Sequence, residues 1–401
     1  MRRRISVPVA MAALLATVAL PGAAAAQDFS AAGPLWYLDA MRVPAIHDAG
    51  ITGDGVTIAV FDNKLNLDAT TLQDADIEVR PVAACPDPTA IGQDDVESVA
   101  HGTSVTSLIV GNGRSDSGAG PVGIAPGARI LYYGLLQDGC TGNNYAEALD
   151  DAVAQGADIV TMSGAVSRLA DELSEPTVES VTAALRAGVI LVTALPNGDS
   201  STIPELMTTN GVVNVASVDA SAQPAKDKAG GEMVNDDVDV VAPGIDVAGV
   251  GWDGTSGMSA WSGSSAATPV VAGLVALASQ KWPEATASQL LQSLIRNTGS
   301  NPHELQWSNR LGHGVVNATR LLEEDPTQYP DENPLFTDGQ EPTFDEVYSA
   351  PEPSAGPSAS ESDGPSALPW VIGGAVVVIV AGGLAVILVS NKRRAGGSRD
   401  V

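Results

Sequence analysis

The feature that most limits the fold is a series of short apolar runs that alternate with segments of helical periodicity. Runs such as 56–61 and 159–162 are rich in β-branched residues and follow turn residues, which is typical of strands covered on both faces of a parallel sheet. Between the runs, 145–155 and 177–187 repeat apolar and small residues at helical spacing. The alternation predicts a three-layer α/β fold with a mostly parallel central sheet. Further strands are predicted at 128–133, 189–193, 212–218 and 238–241, and a buried helix is predicted at 265–280.

The charge balance excludes one class of partner. The chain has 20 Lys and Arg against 48 Asp and Glu, which gives a formal net charge of -28. Because so acidic a protein repels phosphate groups, no nucleic-acid partner is expected. Hydrophobic residues make up 44% of the chain and charged residues 17%, so a sizeable core is expected and wholesale disorder is not.

Both ends of the chain carry the patterns of export and membrane anchoring. Arg2–Arg4 precede an apolar stretch ending in alanines, which predicts a signal peptide over residues 1–26; an uncleaved anchor helix is the alternative. Residues 367–390 are uncharged, and a helix of that length crosses the ~30 Å hydrocarbon core; a buried core helix is the alternative. Lys392–Arg394 then predict a cytoplasmic tail at 391–401, with the main body outside the cytoplasmic membrane.

The region between the two ends divides by composition. Residues 27–50 form a short leader, in which Trp36 and Tyr37 are expected to anchor packing. A large domain is predicted over residues 51–322. Residues 323–366 are rich in Asp, Glu, Pro and Ser and lack apolar periodicity, which predicts an extended linker.

Three short segments carry the residue types needed for nucleophilic catalysis, in the order Asp, His, Ser. Asp62 follows the strand predicted at 56–61, at the edge where α/β sheets place their active sites. His101 precedes Gly102 and is expected to open a helix of small residues. Ser265 begins the predicted buried helix, whose free N–H groups and dipole favour negative charge. Taken singly, these residues are ordinarily a turn aspartate, a structural histidine and an N-cap serine.

Together the segments resemble the signatures of the subtilisin family of serine peptidases. The resemblance rests on HGTSV at 101–105, GSSAATP at 263–269, the turn at 242–244 and the segment GHGVVNA at 312–318, and it covers about residues 35–322. It implies a subtilisin-like three-layer fold and an endopeptidase that acts on polypeptides.

The resemblance also implies a role for each candidate residue. Ser265 is the predicted nucleophile, His101 is the general base and then the general acid, and Asp62 orients the imidazole. Asn197, in the segment ALPNG, matches the amide that stabilises the oxyanion in the family, although an Asn before Gly is also a common turn. The strand end along which family substrates lie corresponds to Ser163 and Gly164.

Several neighbours of these residues depart from the family pattern. Asn63 and Lys64 replace a small hydroxyl residue and a glycine, Pro196 replaces the glycine before Asn197, and Val270 replaces a histidine. The departures motivate an alternative function, a weakly active or inactive domain that serves as a structural or binding component of a membrane secretion complex.

Cysteine and histidine usage adds little further chemistry. Cys85 and Cys140 are the two cysteines of an exported chain, which favours a disulfide over two free thiols. No segment has the ligand spacing of a metal site, so no cofactor is predicted; some subtilisins bind structural calcium, but no calcium motif is recognised here. The remaining histidines, interpreted as structural, are His47, His303 and His313.

The layout of signal, subtilisin-like domain, acidic linker, single span and basic tail resembles that of the mycosins. These are membrane-anchored subtilisin-like proteases of type VII secretion systems in actinobacteria. The resemblance implies a single-pass extracytoplasmic endopeptidase associated with a type VII membrane complex. A general surface peptidase unconnected to secretion is the remaining interpretation.

Overall fold

The computed structural model describes residues 30–83, 85–140, 144–164, 175–197, 209–252 and 256–336. The predicted signal peptide (1–26), the predicted span (367–390) and the tail (391–401) lie outside these residues. Within the described part of the chain, no helix is both long enough and apolar enough to cross a membrane.

A seven-stranded parallel sheet forms the centre of the fold. The strands in chain order are β1 (Thr57–Phe61), β2 (Ile77–Val79), β3 (Asn112–Ser115), β4 (Gly118–Val122), β5 (Arg129–Tyr133), β6 (Ile159–Met162), β7 (Ile190–Ala194), β8 (Val213–Val218), β9 (Val240–Pro243), β10 (Val247–Val250) and β11 (Met258–Trp261). The central sheet has the order β2-β5-β1-β6-β7-β8-β9, and β3/β4 and β10/β11 form separate antiparallel pairs. The predicted parallel sheet is confirmed.

Strand β1 shows why the apolar runs are continuous. Ile58 and Val60 point into one hydrophobic core, and Ala59 and Phe61 point into a second core on the opposite face of the sheet. All four side chains are fully buried. Because successive side chains of a strand alternate between faces, a sheet covered on both faces requires apolar residues at every position.

Helices cover the two faces of the sheet. They are α1 (Trp36–Ala40), α2 (Val43–Asp48), α3 (Val96–Val110), α4 (Asn144–Ala154), α5 (Glu175–Arg186), α6 (Ser264–Lys281), α7 (Ala287–Arg296) and α8 (Ala318–Glu323). Helices α4 and α5 contribute to one core, and the others contribute to the core on the opposite face. Helix α6 is buried over most of its length and packs against β6–β9, as its nearly all-apolar sequence predicts.

The prediction that His101 opens a helix is wrong. Helix α3 begins at Val96, so that His101 lies in its second turn. The side chain of Asp95 at the N-cap forms no capping hydrogen bond, because its carboxylate accepts the N–H of Gly92 and pairs with Lys64. Asp95 is thus a residue type favoured at N-caps, but its side chain is engaged by Gly92 and Lys64 instead.

The described part of the leader is built into the core. The indole N–H of Trp36 donates to the carbonyl oxygen of Ile245 (3.0 Å). The hydroxyl of Tyr37, which is fully buried, donates to the carbonyl of Val122 (2.6 Å) and accepts its N–H (3.1 Å). Both aromatic side chains therefore act as the expected packing anchors.

Residues 323–336, predicted as the start of an extended linker, also pack onto the domain. The amides of Gln289 and Asn297 donate to the carbonyl and the hydroxyl of Tyr329, each at 3.2 Å. The ring of Phe336 is buried and packs against Gly211. These contacts use single aromatic residues without periodic spacing, so the apolar pattern gave no sign of them.

Candidate active site

The sheet topology gathers the candidate residues at one edge. Asp62 directly follows β1, Ser163 and Gly164 follow β6, and Asn197 comes after β7. Strands β1, β6 and β7 are adjacent and parallel. Their carboxyl ends therefore meet at the edge where α/β proteins bind ligands.

A short hydrogen bond joins the candidate aspartate and histidine. Nδ1 of His101 lies 2.7 Å from Oδ1 of Asp62, whose side chain is fully buried. The N–H of Asn63 donates to the same oxygen (2.7 Å). Because a carboxylate can only accept here, Nδ1 carries the proton and Nε2 is left to accept one. This is the tautomer that a general base requires.

The surroundings of His101 favour its charged form. Burial opposes protonation, but the negative charge of Asp62, the hydrogen bond to that carboxylate and the charge of Glu97 outweigh burial. Their net effect raises the pKa of His101 above its usual value. The imidazolium form of His101 is thereby stabilised.

The position after His101 has no room for a side chain, so it is occupied by Gly102. A Cβ at this position would lie 2.2 Å from the Tyr132 hydroxyl and 2.3 Å from the carbonyl oxygen of Lys64. Both distances are far below van der Waals contact. Glycine therefore allows α3 to approach the segment after β1 closely enough for His101 to reach Asp62.

Ser265 lies in the first turn of α6, at the mouth of a cavity of about 510 Å³ that His101 also lines. Its backbone N–H has no intrahelical partner because it belongs to the first turn. Among the described residues no hydrogen bond joins its hydroxyl to His101, a separation common in unliganded sites. Gly263, two residues earlier at the N-cap of α6, has a φ of 155°, which disfavours other residues in the tight turn.

Asn197 is fixed beside the candidate nucleophile. Its Oδ1 accepts the N–H of Ser264 (2.9 Å), so its NH₂ group is the end left free to donate. A Cβ on Gly263 would lie 3.0 Å from that nitrogen, so glycine leaves room for the amide. Pro196 does not prevent this placement, and Asn197 lines the same cavity as Ser265.

The two predicted substrate-binding residues are placed differently. Gly164 lines the cavity, and a Cβ there would lie 2.1 Å from Cδ1 of Leu136. Ser163 is fully buried and does not line the cavity, so of the two predicted residues Gly164 is the one placed to contact a peptide.

Sequence reasoning missed an aromatic wall of the cavity. The rings of Trp252 and Trp261 stack with centroids 5.2 Å apart, and both present a T-shaped contact to His101 at 6.2 and 5.6 Å. Trp261 stands close to Ser265 in the sequence, and this was the signal that could have indicated the aromatic wall.

Lys64, one of the departures from the family pattern, contacts the segment that precedes α3. Its ammonium group pairs with Asp95 (2.9 Å) and donates to the carbonyl of Ala90 (2.6 Å). The lysine therefore holds the segment before α3 in place.

The cysteines form a disulfide, which resolves the alternative of two free thiols. Cys140 lines the cavity, so the bridge lies at its rim. The interpretation of the other histidines as structural fits their contacts with backbone carbonyls: His47 with Ile124, His303 with Thr298, and His313 with Gln306. The described stretches contain no group of three acidic, histidine or cysteine side chains arranged to hold a metal ion.

Comparisons with known proteins agree with this geometry. The model of the subtilase family, Peptidase_S8, matches residues 53–314. Subtilisin BL of Lederbergia lenta is 29% identical over 286 residues, which cover 71% of this chain and 96% of that protein. Among solved structures, fervidolysin of Fervidobacterium pennivorans aligns with a TM-score of 0.57 at 24% identity, over 74% of this chain and 46% of that chain. MycP1 of Mycobacterium smegmatis aligns with a TM-score of 0.56 at 20% identity, over 79% and 90%.

The structural alignments are below 25% identity and support the fold. The family match covers more than half of the chain and includes the segments that carry Asp62, His101 and Ser265. The chain belongs to the subtilase family and is a serine endopeptidase.

Proposed function

We propose that the chain hydrolyses peptide bonds with Ser265 as nucleophile, His101 as general base and acid, and Asp62 as the residue that orients the imidazole. The observation that carries this assignment is the 2.7 Å hydrogen bond between buried Asp62 and His101, on the wall of the cavity that Ser265 also lines. Asn197 and the N–H of Ser265 are the proposed oxyanion donors.

The reaction follows from these positions. The hydroxyl oxygen of Ser265 attacks the peptide carbonyl while its proton moves to Nε2 of His101. The carbonyl oxygen becomes an oxyanion, which the NH₂ of Asn197 and the N–H of Ser265 stabilise. His101 returns the proton to the leaving amine, and the C–N bond breaks. A water molecule then attacks the acyl-enzyme with the same proton transfers, which releases the acid and restores Ser265.

Labelling by a fluorophosphonate probe, which reacts with an activated serine, tests the assignment. We expect the full-length chain in membranes to react and to cleave peptides, and Ser265→Ala to do neither. Ser262→Ala is the matched control, because Ser262 also lines the cavity but has no histidine partner in the proposal. Labelling that persists in Ser265→Ala, or is lost only in Ser262→Ala, contradicts the assignment.

We propose that this endopeptidase is exported and anchored in the cytoplasmic membrane. The cationic and apolar pattern of 1–26 and the uncharged run at 367–390 support this topology, with the tail at 391–401 in the cytoplasm. A chain that ends at residue 366 should appear in the medium, whereas the full chain should stay with membranes after a carbonate wash. Release of the full chain by that wash would contradict the anchor.

We further propose that the protease acts with a type VII secretion complex. The support is the mycosin-like layout of the sequence and the similarity in fold to MycP1, which is described as part of the ESX-1 type VII secretion system. Deletion of the chain in its host should abolish export of type VII substrates while general secretion continues. Normal type VII export in the deletion strain would favour a general surface peptidase.

Complementation of that deletion with Ser265→Ala separates catalysis from a purely structural role. The pairing of Lys64 with Asp95 and the bond from the N–H of Ser264 to Asn197 support a catalytic role despite the unusual neighbours. We therefore expect the variant to be membrane-bound but unable to restore full export. Full restoration would support the structural alternative.

A further inference from the structure

Glu97 is the one acidic side chain among the described residues that line the cavity. Among its described lining residues, Glu97 and His101 are the two that ionise, since Cys140 is in a disulfide. Glu97 lies four residues before His101 on α3, so the two side chains lie on the same face of the helix, one turn apart. Glu97 is exposed, and no cation within the described ranges pairs with its carboxylate.

The carboxylate of Glu97 is close enough to the reaction centre to act on it electrostatically. Its charge is one of the causes that raise the pKa of His101. A peptide whose scissile bond is presented to His101 and Ser265 therefore passes near Glu97. A side chain that lies there covers the carboxylate from water.

A second acceptor without a partner borders the same cavity. Gln137 is almost fully buried. Its Nε2 donates to the carbonyls of Pro86 (2.9 Å) and Gly134 (2.7 Å), and these bonds fix which end of the amide is nitrogen. Its Oε1 has no hydrogen-bond partner among the described residues. That oxygen is itself buried, so Glu97 is the exposed, charged acceptor that the cavity offers to an incoming substrate.

We propose that Glu97 is a specificity-determining residue that selects peptides with a Lys or Arg side chain lying against the wall formed by Glu97 and His101. The inference rests on the proposed catalytic assignment and adds the class of substrate. A bound cation provides the partner that Glu97 lacks. An apolar or acidic side chain at the same place would cover the carboxylate without compensating its charge.

The net charge of the whole protein also favours cationic peptides. With a formal net charge of -28, the chain attracts cationic peptides before contact and repels acidic ones. That attraction raises association rates for all cationic peptides, whatever the position of the charge. Glu97 adds the dependence on position.

The test compares peptides that differ at one position. A positional scan with the full-length chain identifies the position at which Lys or Arg is preferred, and kcat/KM is then measured for Lys against the neutral, similarly shaped norleucine. We expect about a fivefold preference for Lys, the factor that an ion pair of ~1 kcal/mol provides. Glu97→Gln should bring the ratio close to one, and Glu97→Lys should favour a Glu peptide.

Asp94→Asn is the matched control. Asp94 is exposed near the start of α3, does not line the cavity and has no recorded partner within the described stretches. The control removes the same charge from the same region, so its Lys-to-norleucine ratio should equal that of the parent. If Glu97→Gln and Asp94→Asn lower the Lys-to-norleucine ratio equally, general electrostatic attraction alone accounts for the preference, and the proposal is overturned.

Two further outcomes separate substrate selection by Glu97 from an effect on His101 and from a failure of the catalytic assignment. If Glu97 acts only through His101, Glu97→Gln will change the pH profile equally for all peptides and leave the ratio unchanged, which overturns the proposal. Fluorophosphonate labelling of every variant separates this result from a failure of the catalytic assignment. A labelled enzyme without basic preference refutes the specificity, whereas an unlabelled chain refutes the assignment itself.

Discussion

The disulfide at the cavity rim allows a stability change to be worked out. Cys85 and Cys140 are 55 residues apart, and closing such a loop removes about 14 cal/mol/K of entropy from the unfolded chain, or ~4 kcal/mol at 298 K. Measured effects generally fall below this ceiling because real unfolded chains are already restricted. We therefore expect the double variant Cys85→Ser/Cys140→Ser to lose about 2–4 kcal/mol of unfolding free energy.

Thermal unfolding followed by circular dichroism measures this loss. The measurement belongs in a Ser265→Ala background, because an active protease would digest its own unfolded form and make the transition irreversible. A loss of about 2–4 kcal/mol corresponds to a decrease in Tm of roughly 5–10 °C for a domain of this size. Dithiothreitol should lower the Tm of the parent by a similar amount and leave the double variant unchanged.

The position of the bridge also predicts a kinetic effect. Gly139 and Cys140 line the cavity, and the amide of Asn144 donates to Sγ of Cys85 (3.2 Å). In the active background, loss of the bridge should therefore raise KM more than it lowers kcat. A Tm within 1 °C of the parent, or an equal effect of dithiothreitol on parent and double variant, would refute the reasoning.

Three other predictions concern catalysis and pH. Asn197→Ala should lower kcat about 10²–10³-fold with little change in KM, as stopped-flow or steady-state kinetics will show, because the amide acts on the oxyanion and not on the bound peptide. Since the pKa of His101 is raised, kcat/KM should fall as the pH drops through a midpoint that lies above the usual pKa of histidine. The stability that protonated His101 adds to the folded state is present at low pH and is lost as the pH rises through that raised pKa. Burial raises the pKa of Asp239 to about 7, so stability should fall between pH 3.8 and about 7 as the unfolded chain releases this proton first. A change in pKa from 3.8 to about 7 corresponds to about 4 kcal/mol, so Asp239→Asn should exceed the parent by up to that amount at pH 8 in urea unfolding and nearly match it at pH 4.

The parts of the fold that follow from local pattern were predicted closely. Strand 159–162 was predicted with its observed bounds, and helix 265–280 with bounds one residue inside the observed ones, because a buried run of apolar residues needs no distant partner to be recognised. The start of α3 was missed although Asp95 is a residue type favoured at N-caps; in the structure its side chain bonds to Gly92 and Lys64 instead of capping the helix. The packing of 323–336 was missed for a related reason, since it depends on contacts with α7.

The candidate site was recognised by residue type but not by its surroundings. His101 and Ser265 stand in distinctive segments and Asp62 ends a predicted strand, so the three segments taken together in this order indicated the chemistry. The ring stack of Trp252 and Trp261 depends on the pairing of β10 with β11 and on the packing of β10 against α3. Sequence spacing does not encode such an approach.

Asn63 and Lys64, the unusual residues after Asp62, show which contacts the site requires and which of them the sequence alone does not reveal. The carboxylate needs a donor at Oδ1 besides His101, and the backbone N–H of Asn63 provides it (2.7 Å), which any residue except proline would do. The next position carries a lysine whose charge is compensated by Asp95 on the far side of the segment. Neither side chain has to resemble its family counterpart for the Asp62–His101 bond to form. Family signatures are therefore strict at Ser265, the proposed nucleophile, and at Gly102, where a Cβ would collide, and permissive where the backbone alone does the positioning.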